Sequence, residues 1–242
     1  MYHPFSVPET IKTSWYIFRK NFVTIIVFSV ISVIVLQFLQ VIIQLIVSEE
    51  AFGGRMLIGF LFILIQAYTT LGLYKLIFTL IDSEYYEFEF KQVLPGFKMI
   101  VSYLAVGFIL AFTITNFAIL LEYLEKYPLT HDIVKGIIFI ISFYLFLRII
   151  FFITFIVDDH SGPIESLKQS FRLTKGYILR VLMILLIILV FIIAPAELSV
   201  YYKYISVLLA FTYPFVSIIM AVAYRKLIFS HQDVDDDITE TV

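Results

Sequence analysis

The chain has 242 residues, of which 61% are hydrophobic and only 15% charged, with a mean hydropathy of +0.99. A soluble domain is about 45–50% apolar and about 25% charged, and a chain of this length has too little interior to hide the excess, so a soluble fold is excluded. Cysteine is absent, which rules out disulfide frameworks and thiolate chemistry, and a formal charge of −2 leaves no basic surplus for nucleic acid.

In chain order, Met1-Tyr2-His3-Pro4-Phe5 lacks the basic start and cleavage site of a secretory signal, so the first span is expected to be retained. Ser6-Val7-Pro8-Glu9 has a capping hydroxyl with a glutamate three residues on, the pattern of a helix start. Val7, Ile11, Trp15, Phe18 and Phe22 then recur on one helical face, with Lys12, Arg19 and Lys20 off that stripe. Six stretches meet the requirement of roughly 20 mainly apolar residues for a spanning helix: about Phe22–Val47, Met56–Ile81, Met99–Leu121, Ile137–Val157, Ile178–Pro195 and Ile205–Ala223. Their uniform apolarity lacks the alternation of a transmembrane barrel strand, so the fold class is all-α.

Lys and Arg set the orientation. Twelve (Lys12, Arg19, Lys20, Lys75, Lys91, Lys98, Lys168, Arg172, Lys175, Arg180, Arg225 and Lys226) flank the spans on one side. Four (Arg55, Lys126, Lys135 and Lys203) lie on the other, and Arg148 is within a span. The bias predicts a cytoplasmic (inner) membrane protein with both termini cytoplasmic.

Glu9-Thr10-Ile11-Lys12-Thr13-Ser14-Trp15 matches Glu165-Ser166-Leu167-Lys168-Gln169-Ser170-Phe171 at an offset of 156, with three identities. Each copy leads into an odd-numbered span, and Phe88–Lys98 occupies the equivalent place before the third. The reading is three hairpins, each preceded by an amphipathic segment, in one membrane domain of residues 1–229. In the later copy Gly162 suits a cap, Pro163 a first turn and Gly176 a stop, with Ile164, Leu167 and Phe171 as the apolar stripe. Such helices lie in the headgroup layer, either as plain elbows or as contacts for anionic phospholipid or a membrane-protein partner through Lys12, Arg19, Lys20, Lys168, Arg172 and Lys175. The acidic tail, residues 230–242, lacks an apolar stripe and is expected to be disordered.

The run Arg148-Ile149-Ile150-Phe151-Phe152-Ile153-Thr154-Phe155-Ile156-Val157-Asp158-Asp159, followed by Gly162 to Gly176, resembles the membrane domain associated with some bacterial glycerophosphoryl diester phosphodiesterases and related stand-alone six-span proteins. The likeness extends to the lead-in Ser14–Phe22. It implies a cytoplasmic-membrane protein without an established activity. Only residues 230–242 follow Phe229, with no counterpart of the soluble phosphodiesterase domain, so that activity is not expected to carry over.

Arg148 is the foremost site candidate, placed near mid-membrane by its distance from Asp158, with Gln37, Gln66 and Tyr213 as partners at matching depth. It reads either as a binding residue for an anionic headgroup or as a structural hydrogen-bonding residue. Gln37, Gln40 and Gln44 form a polar stripe suited to interhelical glue or to a cavity lining, and Pro214 suits a kink. Lys75 reads as a snorkelling residue and Asp158-Asp159-His160 as a turn rather than a metal set. Glu49-Glu50 with Arg55 resembles the paired glutamates of intramembrane CAAX-type proteases, but the arginine is one position too far and no span carries histidine. No enzyme activity, metal or cofactor is expected. The expected function is a non-catalytic membrane module that binds lipid or a partner; the alternative is a transporter or permease-like protein for a small or lipid-like molecule.

Overall fold

The computed structural model describes residues 5–46, 52–82, 93–201 and 206–239, which form nine α-helices. These are α1 (Val7–Lys20), α2 (Phe22–Ile46), α3 (Phe52–Asp82), α4 (Phe97–Leu124), α5 (Pro128–Ile149), α6 (Phe152–Asp158), α7 (Pro163–Leu173), α8 (Ile178–Tyr201) and α9 (Ser206–Thr239). Six segments are long and apolar enough to cross a membrane: Phe22–Ile43, Gly53–Asp82, Phe97–Leu124, Pro128–Asp158, Ile178–Leu198 and Phe211–Ser230. The protein is therefore an all-α, six-span polytopic membrane protein.

Several boundaries depart from the sequence reading. The second span begins before Met56 because Gly53, Gly54 and Arg55 are helical rather than loop. Glu49 and Glu50 lie outside the described residues, as do residues 88–92 of the expected amphipathic segment Phe88–Lys98. The fifth span runs through Pro195 to Tyr201 and the sixth through Pro214; a proline is accommodated in a spanning helix where neighbours re-satisfy the backbone. α9 continues to Thr239, through most of the tail expected to be disordered, since extending a nucleated helix is far cheaper than starting one.

α3, α6 and α9 meet at the centre. Leu71, Leu76, Ile77, Ile156, Ile218, Ile219 and Tyr224 are fully enclosed there. Between lipid-bathed helices the hydrophobic effect supplies no drive, so close packing holds this centre together. Tyr224 shows how: its ring meets Phe155 edge-on at 4.9 Å and Phe78 at 5.8 Å. α2 and α4 are the least enclosed spans and form the periphery.

α1 and α7 carry the sequence repeat, and small hydroxyl positions are buried in both beside part of the apolar stripe. In α1 the buried positions are Val7, Thr10, Ser14 and Phe18, and in α7 they are Ser166, Ser170 and Leu173. Trp15, Phe22, Ile164 and Phe171, counted in the apolar stripes, are exposed. The matched pairs Thr10/Ser166 and Ser14/Ser170 explain the repeat: small hydroxyls let a helix backbone approach its neighbours closely. Their hydroxyls find acceptors at short range, Thr10 at the Ser6 carbonyl (2.8 Å), Ser14 at the Thr10 carbonyl (2.7 Å) and Ser166 at the Pro163 carbonyl (2.8 Å). Ser6 stands at the N-cap with extended backbone but makes no side-chain cap bond, so the predicted capping box does not form. Gly162 caps α7 and Pro163 opens it as expected, and Gly176 beyond it takes the left-handed φ of +84° that glycine tolerates best.

α1 packs on α9, and α7 on α5 and α6. Lys226 of α9 reaches Glu9 at 3.6 Å and the Arg180 guanidinium donates to the Phe5 carbonyl. The starts of α1 and α8 therefore lie with the end of α9 at one charged end of the bundle.

Candidate functional site

Arg148 sits where the fourth span breaks. α5 stops at Ile149, Phe151 has non-helical backbone angles and α6 begins at Phe152. A helix end leaves backbone groups without partners, and α7 supplies them. Ser170 donates its hydroxyl to the Arg148 carbonyl at 3.0 Å and accepts the Phe151 N–H at 3.1 Å; Thr174 also donates to the Arg148 carbonyl, at 3.3 Å. The Arg148 side chain returns the contact. Its guanidinium donates to the Phe171 carbonyl and lies 3.9 Å from the centre of the Phe171 ring. Only 7% of the residue is exposed, and its Nε is buried without a hydrogen-bond partner among the described residues.

This revises the expected intramembrane site. Arg148 engages the surface helix α7 instead of polar groups at mid-span, because the break at Ile150–Phe151 opens acceptors beside it. Gln66 and Tyr213 do share a cavity of about 440 Å³ between α2, α3 and α9, where Tyr213 and Thr70 hydroxyls pair at 3.1 Å. Arg148 and Gln37 are not among its lining residues. Gln37 is exposed and Gln40 half-buried, and neither is among the residues lining this cavity or the groove described below. Ser170 bridges the break, and Ser170→Ala would strand the buried Phe151 N–H and leave the Arg148 carbonyl to the Thr174 hydroxyl alone. Leaving such groups unsatisfied costs about 1–3 kcal/mol; the expected lower thermal midpoint in detergent can be read by scanning fluorimetry.

A second polar cluster lies at the charged end, where α3 and α6 finish beside Tyr224 and Arg225 of α9. Arg225 donates to Asp158 at 2.8 Å and to Asp82 at 2.6 Å, and Tyr224 donates to the other Asp158 oxygen at 3.0 Å. The Arg225 guanidinium also lies 5.1 Å from the Phe78 ring centre. Burial, then the neighbouring Asp158 carboxylate, hold the Asp159 carboxyl above the usual carboxylate range. Its protonated form is thus favoured in the folded chain. That contribution is complete below the ordinary carboxylate value and lost as pH rises through the raised one.

Beside the cluster opens a polar cavity of about 530 Å³, lined by Lys75, Thr79, Asp82, Asp158 and His160 among others. Lys75 does not simply extend to solvent: its Nζ donates to the Leu94 carbonyl at 2.8 Å. His160 has a positive φ of 53°, a turn geometry in keeping with the reading of Asp158-Asp159-His160. Among the described residues no group of three His, Asp or Glu side chains is arranged to hold a metal ion.

An apolar groove, also about 530 Å³, runs between α2 and α3 and is closed at one end by Val93-Leu94-Pro95. Val27, Phe28, Ile31 and Val35 form one wall and Gly72 and Leu76 the other. A Cβ on Gly72 would lie 3.2 Å from the Phe28 ring, closer than side chains ordinarily come, so glycine here makes room for that ring. Sequence reasoning missed the groove and the Asp82–Arg225–Asp158 cluster. Only the placement of each charge at a span end hinted at the cluster.

The six basic residues assigned to the surface helices, Lys12, Arg19, Lys20, Lys168, Arg172 and Lys175, are all exposed. Fold and site together define a helical multi-span membrane protein with an apolar groove and an ionic cluster at its charged end. No family model, no curated protein and no solved structure matches the chain.

Proposed function

We propose that the chain is a non-catalytic integral membrane module that binds phospholipid. The observation that carries this reading is the groove between α2 and α3, an apolar channel of about 530 Å³ in a protein whose surroundings are acyl chains. A pocket of that size, mostly apolar with few polar groups, is the usual form of a small-molecule site. The exposed bases of α1 and α7 support the reading, because lysines beside a membrane surface attract anionic headgroups, and the exposed Trp15 and Ile164 suit helices lying in the interface. The charge bias places both termini on the cytoplasmic side of an inner membrane. Kinship with the membrane domain of glycerophosphoryl diester phosphodiesterases rests on residues 148–176 and the lead-in at 14–22.

Native mass spectrometry of the protein released gently from its membrane tests the reading. The wild type is expected to retain a phospholipid, and Ser32→Phe, which fills the groove from α2, to lose it while keeping its elution profile. A wild type free of lipid overturns the proposal.

A permease-like reading draws on one specific observation. The groove and the Gln66–Tyr213 cavity lie on either side of a partition to which Phe28, Ser32 and Thr69 all belong. Lipid or solute flux into reconstituted vesicles would favour it over the binding module.

A further inference from the structure

The groove and the polar cavity meet at one hydrogen bond, between Lys75 and Leu94. Leu94 forms part of the groove wall and its carbonyl holds the Lys75 ammonium, while Lys75 itself lines the polar cavity. On α3 the groove takes Gly72 and Leu76 and the polar cavity takes Lys75, Thr79 and Asp82. Positions three and four apart are neighbours on a helix, so these are adjacent strips of one surface. An occupant reaching across both has an apolar tail and a charged head.

The chemistry of the cavity restricts that head. Among the described residues its charged lining consists of one ammonium, Lys75, two carboxylates, Asp82 and Asp158, and the imidazole of His160. Arg225 donates to both carboxylates from outside the lining, but a carboxylate offers about four acceptor positions, so each retains capacity for another donor. A purely anionic head would meet two carboxylates. A quaternary ammonium would bring them no N–H to accept.

We propose that the groove and the polar cavity form one site for an aminophospholipid. The acyl chain lies in the groove, the phosphate meets Lys75, and the primary ammonium donates to Asp82 and Asp158. The proposal rests on the lipid-binding reading above and adds the headgroup class and the residues that select it. Thr79 lines the same cavity and supplies a hydroxyl at the head.

The test uses the full chain in detergent micelles given an equimolar mixture of phosphatidylethanolamine, phosphatidylglycerol and phosphatidylcholine with matched acyl chains. Retained lipid is read by native mass spectrometry. The wild type should retain phosphatidylethanolamine over the other two by about tenfold, the factor one well-made charged contact supplies. Asp82→Asn should bring the three lipids to near parity by lowering retained phosphatidylethanolamine to the level of the other two, whereas Lys75→Met, which removes the contact to the phosphate common to all three, should lower all three alike. Asp82 is the safer variant for folding, since its side chain is 55% exposed and asparagine still offers Arg225 a carbonyl oxygen. Wild type binding all three equally, or Asp82→Asn keeping the wild-type preference, would overturn the headgroup assignment and leave the groove reading intact. Wild type binding no lipid would remove both. A variant that fails to elute as a single species is set aside, and the wild-type preference decides alone.

Discussion

Replacing Arg148 by glutamine is expected to lower the thermal midpoint in detergent by roughly 5–10 °C, the shift a loss of about 2–4 kcal/mol produces in a chain of this length. Two contributions add. A hydrogen bond from a charged donor is worth about 1.5–3 kcal/mol, and Arg148 makes one to the Phe171 carbonyl. A desolvated cation over an aromatic face adds about 0.5–2 kcal/mol, and the guanidinium lies 3.9 Å from the Phe171 ring centre. Lysine cannot reproduce the planar stack, so Arg148→Lys should recover only part of the loss. The same variants should keep bound lipid under conditions where they remain folded, because Arg148 lines neither the groove nor the polar cavity. Scanning fluorimetry and native mass spectrometry on one preparation separate the two roles: loss of lipid without loss of stability would make Arg148 a binding residue.

The parts legible in the sequence were those written in local pattern. Uniform apolar runs identify the six spans because lipid leaves a backbone no alternative to the helix, and the repeated Glu-x-x-Lys-x-Ser signature marks α1 and α7. Which positions of those helices face the bundle was not legible: Thr10, Ser14, Ser166 and Ser170 are buried beside the stripe residues Val7 and Phe18, while Trp15, Ile164 and Phe171 are exposed. The partner of Arg148 was not legible because residue counting assumes an unbroken helix, and the break at Phe151 brings in α7, 22 or 23 residues later in the chain. The groove was illegible altogether: α2 is hydrophobic on nearly every face, so nothing in its pattern distinguishes lipid-facing, groove-lining and packed positions.

The ionic cluster was illegible because its members are 67 and 143 residues apart, yet it carries the sharpest contrast between two similar-looking pairs. Asp158 and Asp82 both bind Arg225 Nη2, but the Asp158 side chain is 15% exposed and that of Asp82 55%. Water screens the outer pair, so Asp82→Ala should cost about 0–1 kcal/mol, the usual worth of an exposed ion pair. Asp158→Ala removes the acceptor of the fully buried Tyr224 hydroxyl as well as the inner partner of Arg225. Leaving that buried hydroxyl unpaired costs about 1–3 kcal/mol, while Asp82 still compensates the Arg225 guanidinium. Unfolding midpoints of the two variants should therefore differ by a few degrees, with Asp158→Ala the lower. Equal midpoints for the two aspartate variants would mean that water reaches Asp158 as freely as Asp82, and that packing alone, without this cluster, joins α3, α6 and α9.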